Sequence, residues 1–257
     1  MRIMTSNIWG DYFGNPVDVR EDLLYDVFAR YSPDVIGLQE FTKGWYDGQL
    51  LSWLARDYAF VGTEREGNAN FVPLVYKKDL KLIAKGFEYL ENTPDSSKAI
   101  TWAVLGREDG GRLAVCNTHF WWRAGPEHDE LRVANAKQLV ALMQCLRARY
   151  GCPVFAFGDM NANVNSACFA VYREQNVVHL LDVAAQKDTV CSHHGDPVLG
   201  EDGRYHGVKT SRDSDRSIDH IVALGDGFAV QAYRIIEEQN ALDASDHSPV
   251  YVDVAFL

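Results

Sequence analysis

Short apolar segments of the chain repeatedly end in a polar residue able to do chemistry. TSN ends with Asn7, GLQE with Glu40, VCNTH with His119, and FAFGDMN carries Asp159 and Asn161. RSIDHI holds Asp219 and His220, and ASDHSPV holds Asp246 and His247. A strand end holds such a group at a cleft more rigidly than a loop does. Glu40, Asp159 and Asp246 gathered in one cleft would repel one another and raise their own pKa values. A divalent cation removes that conflict, and oxygen donors favour Mg²⁺, with Mn²⁺ as a substitute. Mg²⁺ keeps waters and is completed by substrate phosphate oxygens. Histidines beside it suit acid/base work on an attacking water, or stabilisation of a phosphorane-like transition state. The chemistry implied is metal-assisted hydrolysis of a phosphoester.

The elements that must hold these groups follow from periodicity. RIMTSNIW alternates and predicts a strand. DVREDLLYDVFARYSPDVIGLQE predicts a helix ending before Pro33, then the buried strand DVIGLQ. WYDGQLLSWLARDY predicts one helix with Leu50, Leu51 and Leu54 on one side. FVPLVYKKD, AITWAVLGRE and LAVCNTHF predict strands, the last two joined by a hairpin turn over Glu108, Asp109, Gly110 and Gly111. Residues 127 to 150 predict a helix with Leu139, Leu142, Met143 and Leu146 at helical spacing. CPVFAFGD, VKTSRDSDRSIDHIVAL, GFAVQAYRIIEE and HSPVYVDVAFL supply the last strands. Strands in two batches with helices between predict two packed sheets with outer helices. The phosphate-loop patterns GxGxxG and GxxxxGK[ST] are absent.

The 257 residues, 47% of them hydrophobic, are ample for a large core, and no linker or repeat divides them. No apolar run reaches the roughly 18 residues of a membrane helix, and nothing reads as a signal peptide. A cytoplasmic location without membrane insertion is the expectation. The five cysteines include no CxxC pair and read as reduced thiols, with Cys116 in the core. A net charge of -11 argues against a protein that coats nucleic acid. It leaves room for an enzyme that meets a phosphodiester at one small site. KKDLK and Arg123 are the main basic features near the cleft. A phosphorylated small molecule or lipid head group is therefore favoured over duplex DNA.

TSNIWG, GLQEF, NTHF, FGDMNAN, YHGVKT, SIDHI and SDHSPV resemble, in that order, the signature blocks of the endonuclease/exonuclease/phosphatase superfamily. Its members include DNase I-like nucleases, neutral sphingomyelinases, inositol polyphosphate 5-phosphatases and deadenylases. The likeness runs from Asn7 to Pro249. It implies a four-layer α/β/β/α sandwich of two mostly antiparallel sheets flanked by helices. It also implies one catalytic domain over 1–257 and Mg²⁺-dependent phosphoester cleavage. By this resemblance Glu40 is the principal metal ligand, Asn7 supports it on the metal side, and Asp246 is a second metal-side acid. Asp159 positions or deprotonates the attacking water, and Asn161 contacts the phosphate. His247 is the catalytic histidine, Asp219 orients it, and His119 faces the phosphate. His206 buttresses the site wall and can touch substrate.

Departures carry information too. Many relatives have a Gly-Glu pair whose acid supports the first histidine; that position falls at Asn70, so His119 is expected to be less basic. Trp121, Trp122 and Arg123 follow NTHF. The tryptophans suit stacking on a base, a sugar face or an acyl chain, or packing under the next helix, and Arg123 suits a second phosphate. Two rival functions stay open: a nuclease on DNA or RNA, and a member that binds a phosphoryl ligand without turning it over. CSHHGD, with Cys191, His193, His194 and Asp196, has donors for zinc, but adjacent histidines rarely meet tetrahedral spacing. His220, on the opposite strand face from Asp219, reads as structural.

Overall fold

The computed structural model describes residues 1–63 and 70–257. Its first half runs β1 (Arg2–Asn7), α1 (Glu21–Tyr31), β2 (Val35–Gln39), α2 (Lys43–Asp47), α3 (Leu50–Leu54), β3 (Tyr58–Val61), β4 (Leu74–Lys77), β5 (Lys81–Tyr89), β6 (Ala99–Gly106) and β7 (Arg112–His119). Then come α4 (Pro126–Tyr150), β8 (Val154–Asp159), α5 (Ala167–Glu174), β9 (Val178–His179), α6 (Leu180–Val183) and β10 (Gln186–Lys187). The rest is β11 (Val198–Leu199), β12 (Tyr205–His206), β13 (Asp219–Leu224), β14 (Phe228–Ile235), α7 (Gln239–Ala244) and β15 (Val250–Phe256).

A seven-stranded sheet has the order β10-β14-β15-β1-β2-β4-β3, and a six-stranded sheet the order β5-β6-β7-β8-β13-β9. Pairing is mostly antiparallel, but a parallel pair lies inside each sheet: β1 with β2, and β7 with β8. Strand alternation builds the layers. Along β8, Phe155 and Phe157 face the other sheet with Ile3, Val115, Ile221 and Val252. Val154 and Ala156 face outward, against Leu139, Met143 and Leu146 of α4 and Phe169 of α5. On the far side Met4, Ile36 and Leu38 meet Leu24, Val27 and Phe28 of α1. Helix, sheet, sheet, helix is the four-layer sandwich expected.

Helix limits follow local chemistry. α1 stops at Ser32, whose left-handed φ of 44° and N–H to Phe28 O close the turn before Pro33. α4 opens with Pro126 and closes on Gly151 at φ 62°. The single helix expected over WYDGQLLSWLARDY is instead α2, α3 and the start of β3. Glu21 Oε1 accepts the N–H groups of Gln49 (2.6 Å) and Leu50 (3.2 Å), capping α3 from another helix. That oxygen sits 1.8 Å from where a Cβ on Gly48 would lie, so only glycine admits it. Leu50 and Leu54 are buried while Leu51 is half-buried. VKTSR is not strand; β13 begins at Asp219. The edge strand β5 and the helix α5 carry no periodic signal strong enough to predict them.

Polar side chains also cross between the sheets. Gln39 Nε2 donates to Asn117 Oδ1 (2.6 Å), and Asn117 Nδ2 donates to Leu38 O (2.7 Å) and Pro73 O (2.9 Å). Both residues are fully buried.

Candidate active site

The topology brings the polar strand ends to one rim. In the parallel pairs Asn7 lies beside Gln39, one residue before Glu40, and His119 lies beside Asp159. Antiparallel pairing sets Asp219 on the other side of Asp159. Asp246 and His247 enter just before β15, the neighbour of β1. Non-glycine residues with left-handed φ cluster here: Trp9 (54°), Glu40 (58°) and Asn161 (46°). Such strain costs about 1–3 kcal/mol per residue and concentrates at functional sites. Gly158, at φ 149°, lets β8 approach β7 where a Cβ would lie 1.8 Å from Thr118 O.

Asn7 Nδ2 donates to Asp159 Oδ2 (3.0 Å) and to Glu40 Oε1 (3.3 Å), joining the sheets. Asn7 Oδ1 accepts the Trp9 N–H (3.1 Å), so this amide bridges two acids while its oxygen is held by the loop that follows. Glu40 Oε2 accepts the Gly10 N–H (2.9 Å). Asp159 Oδ1 accepts the Asn161 N–H (2.9 Å), and Asn161 Nδ2 donates to Phe120 O (3.2 Å). Asp159 Oδ2 lies 3.4 Å from His119 Nε2 and 3.9 Å from His247 Nε2.

His247 Nδ1–H donates to Asp219 Oδ2 (2.8 Å), which also accepts from Ser192 Oγ (2.6 Å). Ser245 Oγ accepts the His247 N–H (3.1 Å) and donates to Asn7 O (2.7 Å). His247 Nε2 is left toward the cleft acids, 3.9 Å from Asp246 Oδ2. Burial works against its charge, but Asp219, Asp246 and Asp159 outweigh that and hold it well above its ordinary value. Burial, then the charge of Asp219, pushes Asp159 up to about 7. Burial, reinforced by Glu40 and Asp196, pushes Asp246 up to about 6. His119 goes the other way: burial, Lys98 and His247 hold it well below its ordinary value.

The remaining expected residues are placed differently. Asn70 donates to Thr101 Oγ1 (2.7 Å) and accepts the Val72 N–H (3.0 Å), which turns it from His119 into the sheet. Trp121 is buried and donates to His128 Nδ1 (3.1 Å), the packing alternative. Trp122 is 58% exposed, with the Arg123 guanidinium 5.3 Å from its ring centre. His206 is exposed and pairs with Asp202 at 3.1 Å, while its neighbour Tyr205 packs edge-on against Trp9. His220 is buried, bonded to His179 (3.2 Å) and Ala162 O (2.9 Å). In CSHHGD, Cys191 donates to His193 O, and the His193 ring packs on His247 at 4.7 Å.

Lys98, Ser192 and Arg20 carry no signal in the sequence, and His193 stands out there only as a zinc donor. Lys98 Nζ lies 2.8 Å from His119 Nε2. His193 Nε2 lies 3.9 Å from Asp246 Oδ2. Ser192 braces Asp219. Arg20, fully buried, donates to Ile8 O (2.9 Å), Trp9 O (2.8 Å), Ala244 O (2.8 Å) and Pro16 O (3.0 Å), tying the loop after β1 to the end of α7.

Ligand atoms of His193, Asp246 and His247 lie within 4.8 Å of one another, as do those of Asp159, Asp219 and His247. With the His247 ring bonded through Nδ1 to Asp219, the donors in these groups are chiefly carboxylate oxygens, with the His193 ring as a nitrogen donor beside Asp246. Glu40 raises the pKa of Asp246, the mutual repulsion that a divalent cation relieves. The donor chemistry fits a hard cation.

The model of the endonuclease/exonuclease/phosphatase family matches residues 4–247. The chain belongs to the endonuclease/exonuclease/phosphatase family. Members of that family are hydrolases, and the coarse class carries over. The chain is similar in fold to a family member from Bacteroides vulgatus, at 21% identity and TM-score 0.76, covering 100% of this chain and 98% of the other. It is similar to the mannosyl-6-phosphatase Bt3783 of Bacteroides thetaiotaomicron, at 19% identity and TM-score 0.72, covering 100% of both. It is also similar to the human Nocturnin catalytic domain with a bound sulfate anion, at 19% identity and TM-score 0.74, covering 100% of this chain and 94% of that one. Among curated proteins none matches the chain in sequence. Among the described residues no helix of this family member is long and apolar enough to cross a membrane.

Proposed function

We propose that the chain is a divalent-metal-dependent phosphoesterase, acting as one catalytic domain over 1–257. The observation that carries it is geometric: Asp159 Oδ2, held by Asn7, lies 3.9 Å from His247 Nε2, whose other ring nitrogen is bonded to Asp219. Asp159, at about 7, is poised to take a proton from water near neutral pH, and His247 beside it is held charged. Asp159, fixed by Asn7 and the Asn161 N–H, orients and deprotonates the attacking water. His247, fixed by Asp219, presents Nε2–H to the phosphoryl oxygens as charge develops on them. Asn161 bounds the phosphate position. Glu40 and Asp246 would hold Mg²⁺ or Mn²⁺, which would neutralise phosphate charge.

A small phosphorylated substrate or lipid head group fits the net charge of -11 better than duplex DNA does. The name mannosyl-6-phosphatase on one structural relative and the sulfate bound by another support phosphoryl recognition in this fold. A nuclease acting on single strands draws its support from Trp122 and Arg123, exposed next to β7. The test is a panel of a chromogenic diester, a chromogenic monoester, sugar and inositol phosphates, sphingomyelin and oligonucleotides, each with Mg²⁺, Mn²⁺ or EDTA. Metal-dependent turnover abolished by Asp159→Ala supports the proposal. Turnover surviving EDTA or that substitution refutes the mechanism, and binding without turnover favours a non-catalytic member. Oligonucleotide cleavage that depends on Trp122 favours the nuclease.

A further inference from the structure

We propose that Lys98, rather than an imidazolium at His119, is this chain's cation for the substrate's phosphoryl oxygens, with His119 as the neutral acceptor that positions it. The assignment rests on the phosphoesterase reading for the identity of the anion. Lys98 immediately precedes β6, only 5% exposed, and its ammonium is 2.8 Å from His119 Nε2. Lysines are rarely buried without a partner. An ammonium carries three N–H donors. Among the described residues His119 Nε2 is its hydrogen-bond partner, and no carboxylate oxygen lies within 4.0 Å of Nζ. Among the described residues two of its three donors thus meet no acceptor, in a place where an unmet donor is costly. Burial lowers this ammonium to about 8, still charged at neutral pH, and the charges of Glu40 and Asp159, which border the phosphate position, oppose that effect. An anion bound between those acids and a cation would supply the missing acceptors, and lysine serves as a point-charge phosphate ligand.

The same contact removes His119 from that task. A nitrogen that accepts from an ammonium cannot donate to a phosphate oxygen, so the proton of His119 sits on Nδ1. Asn70, at the position where the resemblance expects a supporting acid, is turned to Thr101 and Val72. Among the described residues Asp159, at 3.4 Å, is the acid within ion-pair distance of His119 Nε2, and it is itself only partly ionised near neutral pH. The positive charge that an acid-backed histidine would bring from β7 comes instead from the start of β6.

The test is calorimetric titration of inorganic phosphate into the Mg²⁺-loaded full chain, as wild type, Lys98→Met and His119→Gln, with a melting curve for each. Lys98→Met is expected to weaken phosphate tenfold or more, and His119→Gln by less than Lys98→Met. A Lys98→Met affinity within tenfold of wild type overturns the assignment. So does a larger loss in His119→Gln, or no phosphate binding by the loaded wild type. If Lys98→Met does not fold, Lys98→Gln is read by the same criteria. Failure of the phosphoesterase reading looks different: no ester in the panel turns over, while the phosphate affinities still separate Lys98→Met from wild type.

Discussion

Asp219→Asn removes one charge beneath His247 and changes almost no volume. Asp219 Oδ2 accepts from His247 Nδ1 at 2.8 Å and from Ser192 Oγ at 2.6 Å, while Oδ1 is buried with no hydrogen-bond partner. If the asparagine keeps its oxygen toward His247, only charge is lost. A hydrogen bond to a charged group contributes about 1.5–3 kcal/mol net, or about 10- to 150-fold in rate. That orientation, however, buries an NH₂ group at the place where Oδ1 has no partner, at about 1–3 kcal/mol if the group goes unmet. The reverse orientation lets the NH₂ donate to Ser192 Oγ and to His247 Nδ1. It is therefore preferred, and it moves the imidazole proton to Nε2 in the uncharged ring. That tautomer keeps the Nε2–H donor and loses the ring's positive charge, so the expected fall in kcat is about 10- to 150-fold, with a small change in KM.

The pH profile carries the sign. Asp219 helps hold His247 above its ordinary value. A group with a raised folded pKa contributes fully below its unfolded pKa and loses that contribution as pH rises through the folded value. Activity that needs the imidazolium therefore declines on the alkaline side, and in Asp219→Asn that limb moves to lower pH. The assay is a pH–rate profile on the best ester of the panel, with a melting curve as the folding control. A loss under tenfold, or an alkaline limb that stays in place, refutes the role given to His247.

Arg20→Met leaves the buried Ile8 and Ala244 carbonyls without a donor, an expected loss of about 2–4 kcal/mol seen as a lower melting temperature; a variant as stable as wild type refutes this. Gly158→Ala combines a forbidden φ with a 1.8 Å clash on Thr118 O and is expected to cost about 2–6 kcal/mol in denaturant titration, with activity falling because His119 and Asp159 flank the clash. His220 is held neutral, at about 4, by burial. The unfolded state takes up a proton near pH 6.5 that the folded state refuses, so this group's contribution is present above that pH and lost toward about 4. Between pH 7 and 5 wild type should lose about 2 kcal/mol more stability than His220→Gln; equal losses would contradict the burial argument.

The strand-end acids and histidines were legible because each sits where an apolar run meets a polar residue, and a strand that ends at a cleft leaves that trace. Asp219 and His220 could be told apart by strand alternation alone. Lys98 left no such trace: a lysine before a strand reads as a solvated end, and its burial depends on β7 folding over it. Arg20 was hidden for a related reason, since its four acceptors are backbone carbonyls, three in the segment after β1 and one at the end of α7. The break at Gly48 depended on a carboxylate from α1, a tertiary cap that no local pattern shows. Asn70 stands out in the sequence as the departure from the resemblance, but its bonds to Thr101 and Val72 left no sequence pattern.

The pin between Gln39 and Asn117 decides what kind of variation this scaffold tolerates. Asn7, Glu40 and His247 ride with one sheet, and His119, Asp159 and Asp219 with the other. Side chains interleaved between two faces can slip, and a slide of even a fraction of the roughly 3.3 Å residue spacing would pull Asn7 off Asp159. A buried amide pair across the gap resists that shear, since any slip would strand two donors and their acceptors without water. Alignment of the half-sites is thus settled below the rim. The loops above it are free to lengthen, shorten or change composition for new esters without retuning the groups that do the chemistry.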